Sequence, residues 1–192
     1  MKKFIGPKKI KTAVFISGKG SNLRNLIKFS KTKISPITIV LIISNTKKAK
    51  GLGYSKKYNI KKKIIDFSSK KFFEKNFINF LNEKKIKLIC LAGFMKILSS
   101  NFIKNFRGKI INIHPSLLPK YKGINTHERV INNNEKFSGC TVHYVSSRLD
   151  SGKIIMQKKI KIKKNDTVDS LSKKVLKKEH LLYPAAIKKI YN

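Results

Sequence analysis

The stretch Lys109–Gly123, KIINIHPSLLPKYKG, begins as an apolar run and ends in a loop punctuated by proline and glycine. Its three isoleucines predict a buried strand. Asn112 and His114 are two residues apart and therefore project from the same face of that strand. Pro115 disfavours a helical conformation for His114 and keeps it extended. We therefore predict two polar side chains at the carboxyl end of a strand, which is the edge where open parallel sheets bind ligands.

Outward from this stretch, apolar runs alternate with segments of helical periodicity. Strands are predicted over residues 12–17, 37–43, 62–65 and 86–91, ahead of the strand that opens the stretch. Such continuous apolar strands are typical of a sheet covered on both faces. We predict an α/β fold with three layers, in which a mostly parallel twisted sheet carries helices on both faces.

The chain beyond residue 125 follows a different pattern. Two further strands are predicted over 140–145 and 154–157. Asp166 is predicted to cap a last helix, with Asp169 at the reciprocal position of a capping box. Pro184 is expected to end or kink that helix. Without a repeat or a low-complexity linker, we expect one domain over residues 1–192, with residues 1–11 forming a basic, flexible lead-in.

Hydropathy and cysteine usage indicate a protein of a reducing compartment. No apolar run reaches membrane-spanning length, and the basic N-terminal segment has no signal-peptide core. We therefore expect a cytoplasmic protein without a membrane partner. Cys90 and Cys140 lack metal-site or disulfide spacing and are expected to be small core residues.

The formal net charge of +36 suggests nucleic-acid binding at first sight. Only four of the 45 basic residues are arginine, however, whereas nucleic-acid readers favour arginine forks and aromatic stacking. The abundance of Lys, Ile and Asn is typical of an A+T-rich genome. We interpret the charge as a solvated surface that attracts anions, and expect no specific nucleic-acid partner. A basic nucleic-acid-binding protein remains the alternative from a different class.

A glycine turn, Gly18-Lys-Gly-Ser-Asn22, separates the first strand from the first helix. Glycine lets the backbone approach a ligand, and the helix N-terminus offers free N–H groups to a phosphate. The segment is neither a Walker loop nor a complete dinucleotide fingerprint, because the third glycine is absent. It predicts a phosphate site or an ordinary turn.

Asp150 lies in the turn Leu-Asp-Ser-Gly, where an Asx turn is the usual interpretation. If the fold brings it beside His114, the carboxylate would raise the pKa of the imidazole and orient the ring. The other histidines are weaker candidates: His127 as a surface residue or substrate contact, His143 as a core hydrogen-bonding residue, and His180 as a helix-packing residue. None has metal-ligand spacing, so we predict no metal.

Three motifs resemble the folate-dependent formyltransferases: ISGKGSNL (16–23), NIHPSLLPKY (112–121), and TVH with LDSG (141–143 and 149–152). LAGFMKIL (91–98) and the EH and YP pairs near the C-terminus add to the resemblance. The first motif is similar to the phosphoribosylglycinamide formyltransferase branch of the family. The resemblance implies a formyltransferase fold with a Rossmann-like N-terminal half.

The resemblance also implies roles for individual residues. The catalytic residues would be Asn112, His114 and Asp150. The ribonucleotide would be bound by Gly20, Ser21, Asn22 and Glu179, the last receiving the ribose. The folate would be bound by Lys70, Met95, Lys96, Ile97, Leu98, Asn112 and Val145, with the loop 147–152. Lys70 and Lys96 stand where the family often has arginine, which keeps the charge but loses the bidentate fork.

The reaction implied is formyl transfer from 10-formyltetrahydrofolate, a co-substrate, to the amino group of glycinamide ribonucleotide in de novo purine biosynthesis. The neutral amine would attack directly and form a tetrahedral intermediate. Asn112 and a protonated His114 would stabilise the oxyanion, and Asp150 would charge His114 and move the proton. The alternatives are a formyltetrahydrofolate deformylase and a tRNA formyltransferase-like enzyme, which normally carry a further domain. We expect small-molecule substrates and a monomer or weak homodimer.

Overall fold

The computed structural model describes residues 9–67 and 71–191, which form one seven-stranded sheet with helices on both faces. The strands are β1 (Ile10–Ile16), β2 (Ile37–Ser44), β3 (Lys61–Ile64), β4 (Leu88–Leu91), β5 (Lys109–His114), β6 (Phe137–Tyr144) and β7 (Ile154–Lys161). The helices are α1 (Ser21–Ser30), α2 (Gly53–Tyr58, preceded by a 3-10 turn), α3 (Lys71–Glu83), α4 (Ser100–Asn105), α5 (Thr126–Asn132) and α6 (Val168–Tyr191). The predicted three-layer α/β fold, a mostly parallel sheet with helices on both faces, is confirmed.

The strand order is β3-β2-β1-β4-β5-β6-β7. The first five strands in this order are parallel, and β6 and β7 join antiparallel. The chain adds strands toward one edge of the sheet from β1 to β3, and toward the other edge from β4 to β7. The loops that follow β1 and β4 therefore diverge. Open α/β sheets bind ligands in the crevice that such a switch point creates.

Two apolar clusters cover the two faces of the sheet. On one face α1 and α6 pack against the sheet, with Tyr183 fully buried. On the other face Phe15 lies at the centre of an aromatic cluster with Phe77, Phe94 and Phe102 at ring-centroid distances of 5.4–6.4 Å. Each face buries its apolar side chains away from water, which explains the lack of polar alternation along the central strands.

The ends of several elements differ from prediction. β1 begins at Ile10, so residues 10 and 11 belong to the sheet, whereas residues 1–8 of the expected lead-in lie outside the described part. β6 and β7 extend to eight residues each because they pair with one another beyond the part of β6 that pairs with β5. Helix α5 was not predicted, since its seven residues include Thr, His, Val and Asn, which favour helix weakly. Cys90 and Cys140 are buried and free, as expected of core residues.

The last helix is capped one residue later than predicted. The Ser170 amide donates to the Thr167 hydroxyl at 3.2 Å, and the Thr167 amide donates to the Ser170 hydroxyl at 3.0 Å, which is a reciprocal cap. Asp166 instead accepts hydrogen bonds from the Lys163 amide and the Ser170 hydroxyl. Asp169 pairs with Lys173 on the helix surface. The prediction was wrong because Asp166 serves the turn that precedes the helix.

Helix α6 also continues through Pro184 to Tyr191 instead of ending there. A proline has no N–H for the carbonyl four residues earlier, which here belongs to His180. That carbonyl accepts a hydrogen bond from the Asn25 side-chain amide at 2.6 Å, so α1 supplies the missing donor. Among the described residues, no helix is long and apolar enough to cross a membrane.

Candidate active site

Asn112, His114 and Asp150 meet at the carboxyl end of β5. The strand carries the first two, and the connection between β6 and β7 returns the third. The Asp150 carboxylate lies 3.4 Å (Oδ2) from His114 Nδ1 and 3.5 Å (Oδ1) from Asn112 Nδ2. Its side chain is only 8% exposed. The structure therefore brings together the three side chains that the sequence singled out.

The loop after β5 anchors Asp150. The Gly123 amide donates a hydrogen bond to Asp150 Oδ2 at 2.9 Å, and Lys122 Nζ donates to the neighbouring Ser151 hydroxyl at 2.6 Å. Asp150 has a φ of +44°, a left-handed conformation that Asp tolerates better than most residues. Burial raises the pKa of Asp150, but the adjacent His143 ring and the Gly123 amide, together with His114 when that ring is protonated, outweigh burial and lower it overall. Asp150 is therefore ionised at neutral pH.

His114 is oriented by a backbone carbonyl. Its Nε2 lies 2.8 Å from the Tyr121 oxygen, and since a carbonyl only accepts, Nε2 carries the proton and Nδ1 faces Asp150. Burial lowers the pKa of His114, and the opposing effects of the Tyr121 carbonyl and the Asp150 charge do not compensate. We expected Asp150 to keep His114 protonated at neutral pH. The direction of the pKa shift opposes that expectation, because burial disfavours the imidazolium more than the carboxylate favours it.

His143 belongs to the site, although the sequence indicated only a core hydrogen bond. Strand β6 pairs antiparallel with β5 and sets His143 directly opposite Asn112. Its Nδ1 contacts the Tyr144 carbonyl at 2.9 Å, and its Nε2 lies 3.2 Å from Asn112 Nδ2 and 3.6 Å from Asp150 Oδ1. With the proton on Nδ1, Nε2 accepts from Asn112 and fixes the amide orientation. A pairing register for β5 and β6 would have predicted this contact.

A cleft opens beside these polar side chains. Lys96, Ile97, Leu98 and Val145 line it together with Asn112, His143 and Asp150. Met95 is 68% exposed beside the cleft and is not part of its lining. Lys70 lies outside the described residues. The predicted folate-binding side chains that the structure describes are thus gathered along one segment, 95–98, and at Asn112 and Val145.

Ser17 links this segment to the end of β1, a contact that the sequence did not suggest. The Met95 amide donates to the Ser17 hydroxyl at 2.7 Å, and that hydroxyl donates to Asn45 Oδ1 at 2.6 Å. The Ser17 amide also donates to the Gly93 carbonyl at 3.0 Å. One residue thereby joins the loops that follow β1, β2 and β4. No sequence motif marks such a junction, because it depends on which strands are neighbours.

The glycine turn between β1 and α1 is tightly packed. Gly20 has a φ of +75°, and a Cβ at this position would lie 2.8 Å from the Gly51 Cα. Within the described ranges 9–67 and 71–191, no side chain caps α1, so the first-turn amides, beginning at Ser21, have no partner within the helix. The turn therefore presents free N–H groups at a helix N-terminus, which is the arrangement expected of an anion site.

Asn22 and Glu179 form a buried pair beside this turn. The Asn22 side-chain amide donates to Glu179 Oε2 at 2.6 Å, whereas Asn22 Oδ1 is buried without a hydrogen-bond partner among the described residues. Burial raises the pKa of Glu179, and the Asn22 hydrogen bond opposes this only in part. A buried ionised carboxylate is stabilised when a hydroxyl group donates a hydrogen bond to it, so the pair is suited to a polyhydroxylated ligand.

The two remaining histidines have different surroundings. His127 is half-buried near His114, and burial followed by the charge of His114 lowers its pKa. His180 packs on α6, and burial lowers its pKa as well. One ring nitrogen of each is buried without a hydrogen-bond partner in the described part of the chain. Residues 9–67 and 71–191 contain no group of three or more His, Cys, Asp or Glu side chains suited to hold a metal ion.

Comparisons with known proteins agree with this geometry. A curated relative from Gallus gallus, "Trifunctional purine biosynthetic protein adenosine-3", is 44% identical over 182 residues; the match covers 93% of this chain but only 18% of the relative. The chain therefore spans about a fifth of that protein. The solved structure of phosphoribosylglycinamide formyltransferase from Anaplasma phagocytophilum matches with a TM-score of 0.89 at 40% identity, covering 96% of this chain and 87% of that one.

The solved structure of the same-named enzyme from Brucella melitensis has a TM-score of 0.89 at 39% identity and covers 96% of both chains. A family model described as "Formyl transferase" matches residues 10–187. This match includes all seven strands, Asn112, His114 and Asp150, and it leaves out only the two ends of the chain. The chain belongs to the formyl transferase family.

Proposed function

We propose that the protein transfers the formyl group of 10-formyltetrahydrofolate to the amino group of glycinamide ribonucleotide, a step of de novo purine biosynthesis. The observation that carries the proposal is the contact of Asp150 with both His114 and Asn112 at one end of a partly apolar cleft. Formyl transfer needs a hydrogen-bond donor for the formyl oxygen and an acceptor for the amine proton, and these three side chains include both.

The ribonucleotide would occupy the β1–α1 side of the crevice. The uncapped amides of Gly20, Ser21 and Asn22 suit its phosphate, because the helix N-terminus adds a favourable dipole. Glu179 suits the ribose, since its buried carboxylate can accept hydrogen bonds from two hydroxyl groups. The surface charge favours a dianionic substrate and its approach.

The formyl donor would occupy the cleft between segment 95–98 and Val145. Ile97, Leu98 and Val145 supply apolar contacts for an aromatic ring system, and the polar side chains lie at its inner end. Lys96 carries a charge suited to the acidic tail of a folate, and Lys70 and Met95 would complete the binding set. The donor supplies an activated formyl carbon to this end of the cleft.

Within this arrangement each polar residue has a separate role. Asn112, whose amide is oriented by His143, donates a hydrogen bond to the formyl oxygen as negative charge develops there. Asp150 is ionised and accepts a proton from the incoming amine. Since His114 Nδ1 lies 3.4 Å from Asp150, the same proton can be shared with His114, whose positive charge then stabilises the oxyanion while Nε2 stays bound to the Tyr121 carbonyl. His114 thus begins neutral and is protonated during the reaction. When the tetrahedral intermediate collapses, the bond between the formyl carbon and the folate nitrogen breaks, and the proton passes to that departing nitrogen.

The function is tested by incubating the purified protein with 10-formyltetrahydrofolate and glycinamide ribonucleotide. Formylated ribonucleotide should accumulate in equal amount to deformylated folate, and omission of the ribonucleotide should abolish turnover. Formate release at the same rate without the ribonucleotide would identify a deformylase instead. Formylation of methionyl-tRNA under matched conditions would identify a tRNA formyltransferase. Either result would contradict the proposal.

A further inference from the structure

Tyr121 holds an unfavourable backbone conformation at the point where it contacts His114. Its φ is +57°, in the left-handed region that residues with a Cβ seldom adopt. This conformation directs its carbonyl to His114 Nε2 at 2.8 Å. Local strain of this kind persists only where surrounding contacts determine the conformation, so those contacts decide whether the carbonyl stays in place.

The side chain of Tyr121 is fixed by residues at the C-terminal end of α5 and just beyond it. Its hydroxyl donates to Glu135 Oε1 at 2.9 Å and accepts from the Asn133 amide at 2.9 Å. The Arg129 guanidinium lies 5.3 Å from the ring centroid and donates to the Lys122 carbonyl at 2.7 Å. The conformation of Tyr121 is therefore set by residues that do not line the cleft.

We propose that Glu135 and the Tyr121 hydroxyl are positioning residues for formyl transfer: they hold the Tyr121 carbonyl against His114 Nε2 and so keep the imidazole oriented with Nδ1 toward Asp150. The proposal rests on the proposed function of the site. Neither side chain needs to touch a substrate, and both act through the backbone of Tyr121.

The orientation of the His114 ring explains why this contact affects chemistry. With Nε2–H bound to the Tyr121 carbonyl at 2.8 Å, Nδ1 lies 3.4 Å from Asp150 Oδ2. Burial lowers the pKa of His114, and the hydrogen bond to Tyr121 opposes this lowering because it favours the protonated ring. If the carbonyl moves away, the ring loses its fixed position and part of its affinity for the proton that Asp150 receives from the amine. Formyl transfer would slow although substrates still bind.

The test compares Tyr121→Phe and Glu135→Leu with Glu128→Leu, a matched control on the exposed first turn of α5. Tyr121→Phe also removes the hydrogen bond from Asn133, and Glu135→Leu also removes that from Lys120. The loss that the two variants share, the hydrogen bond between Tyr121 and Glu135, predicts a kcat reduced roughly three- to tenfold, with the KM of both substrates within about twofold of the parent. Glu135→Gln retains an oxygen acceptor for the Tyr121 hydroxyl and should restore most of the kcat. The control should match the parent.

Nitrogen-15 NMR of the imidazole separates positioning from a general loss of structure. In a pH titration, the ligand-free parent and the control should show the same pKa for His114, and Tyr121→Phe should show a lower one, because the Tyr121 carbonyl opposes the lowering of this pKa by burial. This measurement needs no substrate, so it reports on the positioning even if the enzyme proves to act on another formyl acceptor. An unchanged His114 pKa in both Tyr121→Phe and Glu135→Leu, or an unchanged kcat in both, would overturn the proposal. If Glu135→Leu fails to fold, Tyr121→Phe alone decides.

Discussion

Replacement of Asp150 by asparagine is the most direct test of the proposed chemistry. Asparagine has almost the same shape, tolerates the left-handed φ of +44°, and can still accept the hydrogen bond from the Gly123 amide. The substitution removes the negative charge and the ability to accept a proton. We therefore expect the fold to survive while turnover is lost.

The expected loss follows from the distances at the site. A unit negative charge 3.4 Å from His114 Nδ1 stabilises an imidazolium by about 5 kcal/mol at an effective dielectric constant of about 20. Loss of a general base typically costs about 10²- to 10⁴-fold in rate, equivalent to about 3–5 kcal/mol. The two estimates agree in scale, so kcat should fall by roughly 10²- to 10⁴-fold.

The assay measures kcat and KM of purified Asp150→Asn, with each substrate varied while the other is saturating, beside Asp169→Asn as control. Asp169 lies on the exposed surface of α6, so its substitution removes the same charge far from the chemistry. Thermal unfolding should differ little among the three proteins, and calorimetry should give ribonucleotide affinity close to that of the parent. Turnover of Asp150→Asn within threefold of the parent would refute the assignment of the proton acceptor.

Three further substitutions test the remaining parts of the site. His114→Ala should lose roughly 10²- to 10³-fold in kcat and retain ribonucleotide affinity by calorimetry, because the ring acts on the formyl oxygen and not on the phosphate. Glu179→Gln should weaken ribonucleotide binding yet raise stability at pH 7 by about 0.5–2 kcal/mol in urea unfolding. Because the pKa of Glu179 is raised in the folded protein, the unfolded chain ionises first, and the folded state loses stability once the pH rises above the ordinary value of 4.5. The free energies of unfolding of parent and variant should therefore converge near pH 4. Ser17→Ala should raise the KM for the folate several-fold and leave that for the ribonucleotide unchanged, since the Met95 amide loses its acceptor.

The parts of the fold that the sequence predicted are those with a dense local signal. The buried parallel strands are continuous apolar runs, and the glycine turn marks the start of α1. Asn112 and His114 were located because strand periodicity and Pro115 determine where they point. Each of these inferences uses residues within a few positions of one another, where backbone geometry leaves few alternatives.

The parts that the sequence did not predict depend on contacts distant along the chain. His143 joins the site through the antiparallel register of β5 with β6, which no local pattern encodes. Helix α6 passes Pro184 because Asn25, 155 positions from His180, satisfies the exposed carbonyl. The charge state of His114 depends on the balance between burial and Asp150, and burial is known only from the packed structure.

Negative charge is scarce in this chain, and its position carries more information than the excess of lysine. Only nine acidic residues accompany the 45 basic ones, yet Asp150 and Glu179 lie in the site and Glu135 holds Tyr121, which contacts His114. A positive surface attracts anionic substrates, but salt screens exposed charges beyond about 8 Å. The ionisation of Asp150 depends instead on partners 2.9–3.6 Å away, which surface lysines do not alter. Surface composition can therefore change greatly without changing the protonation of the groups on which formyl transfer depends.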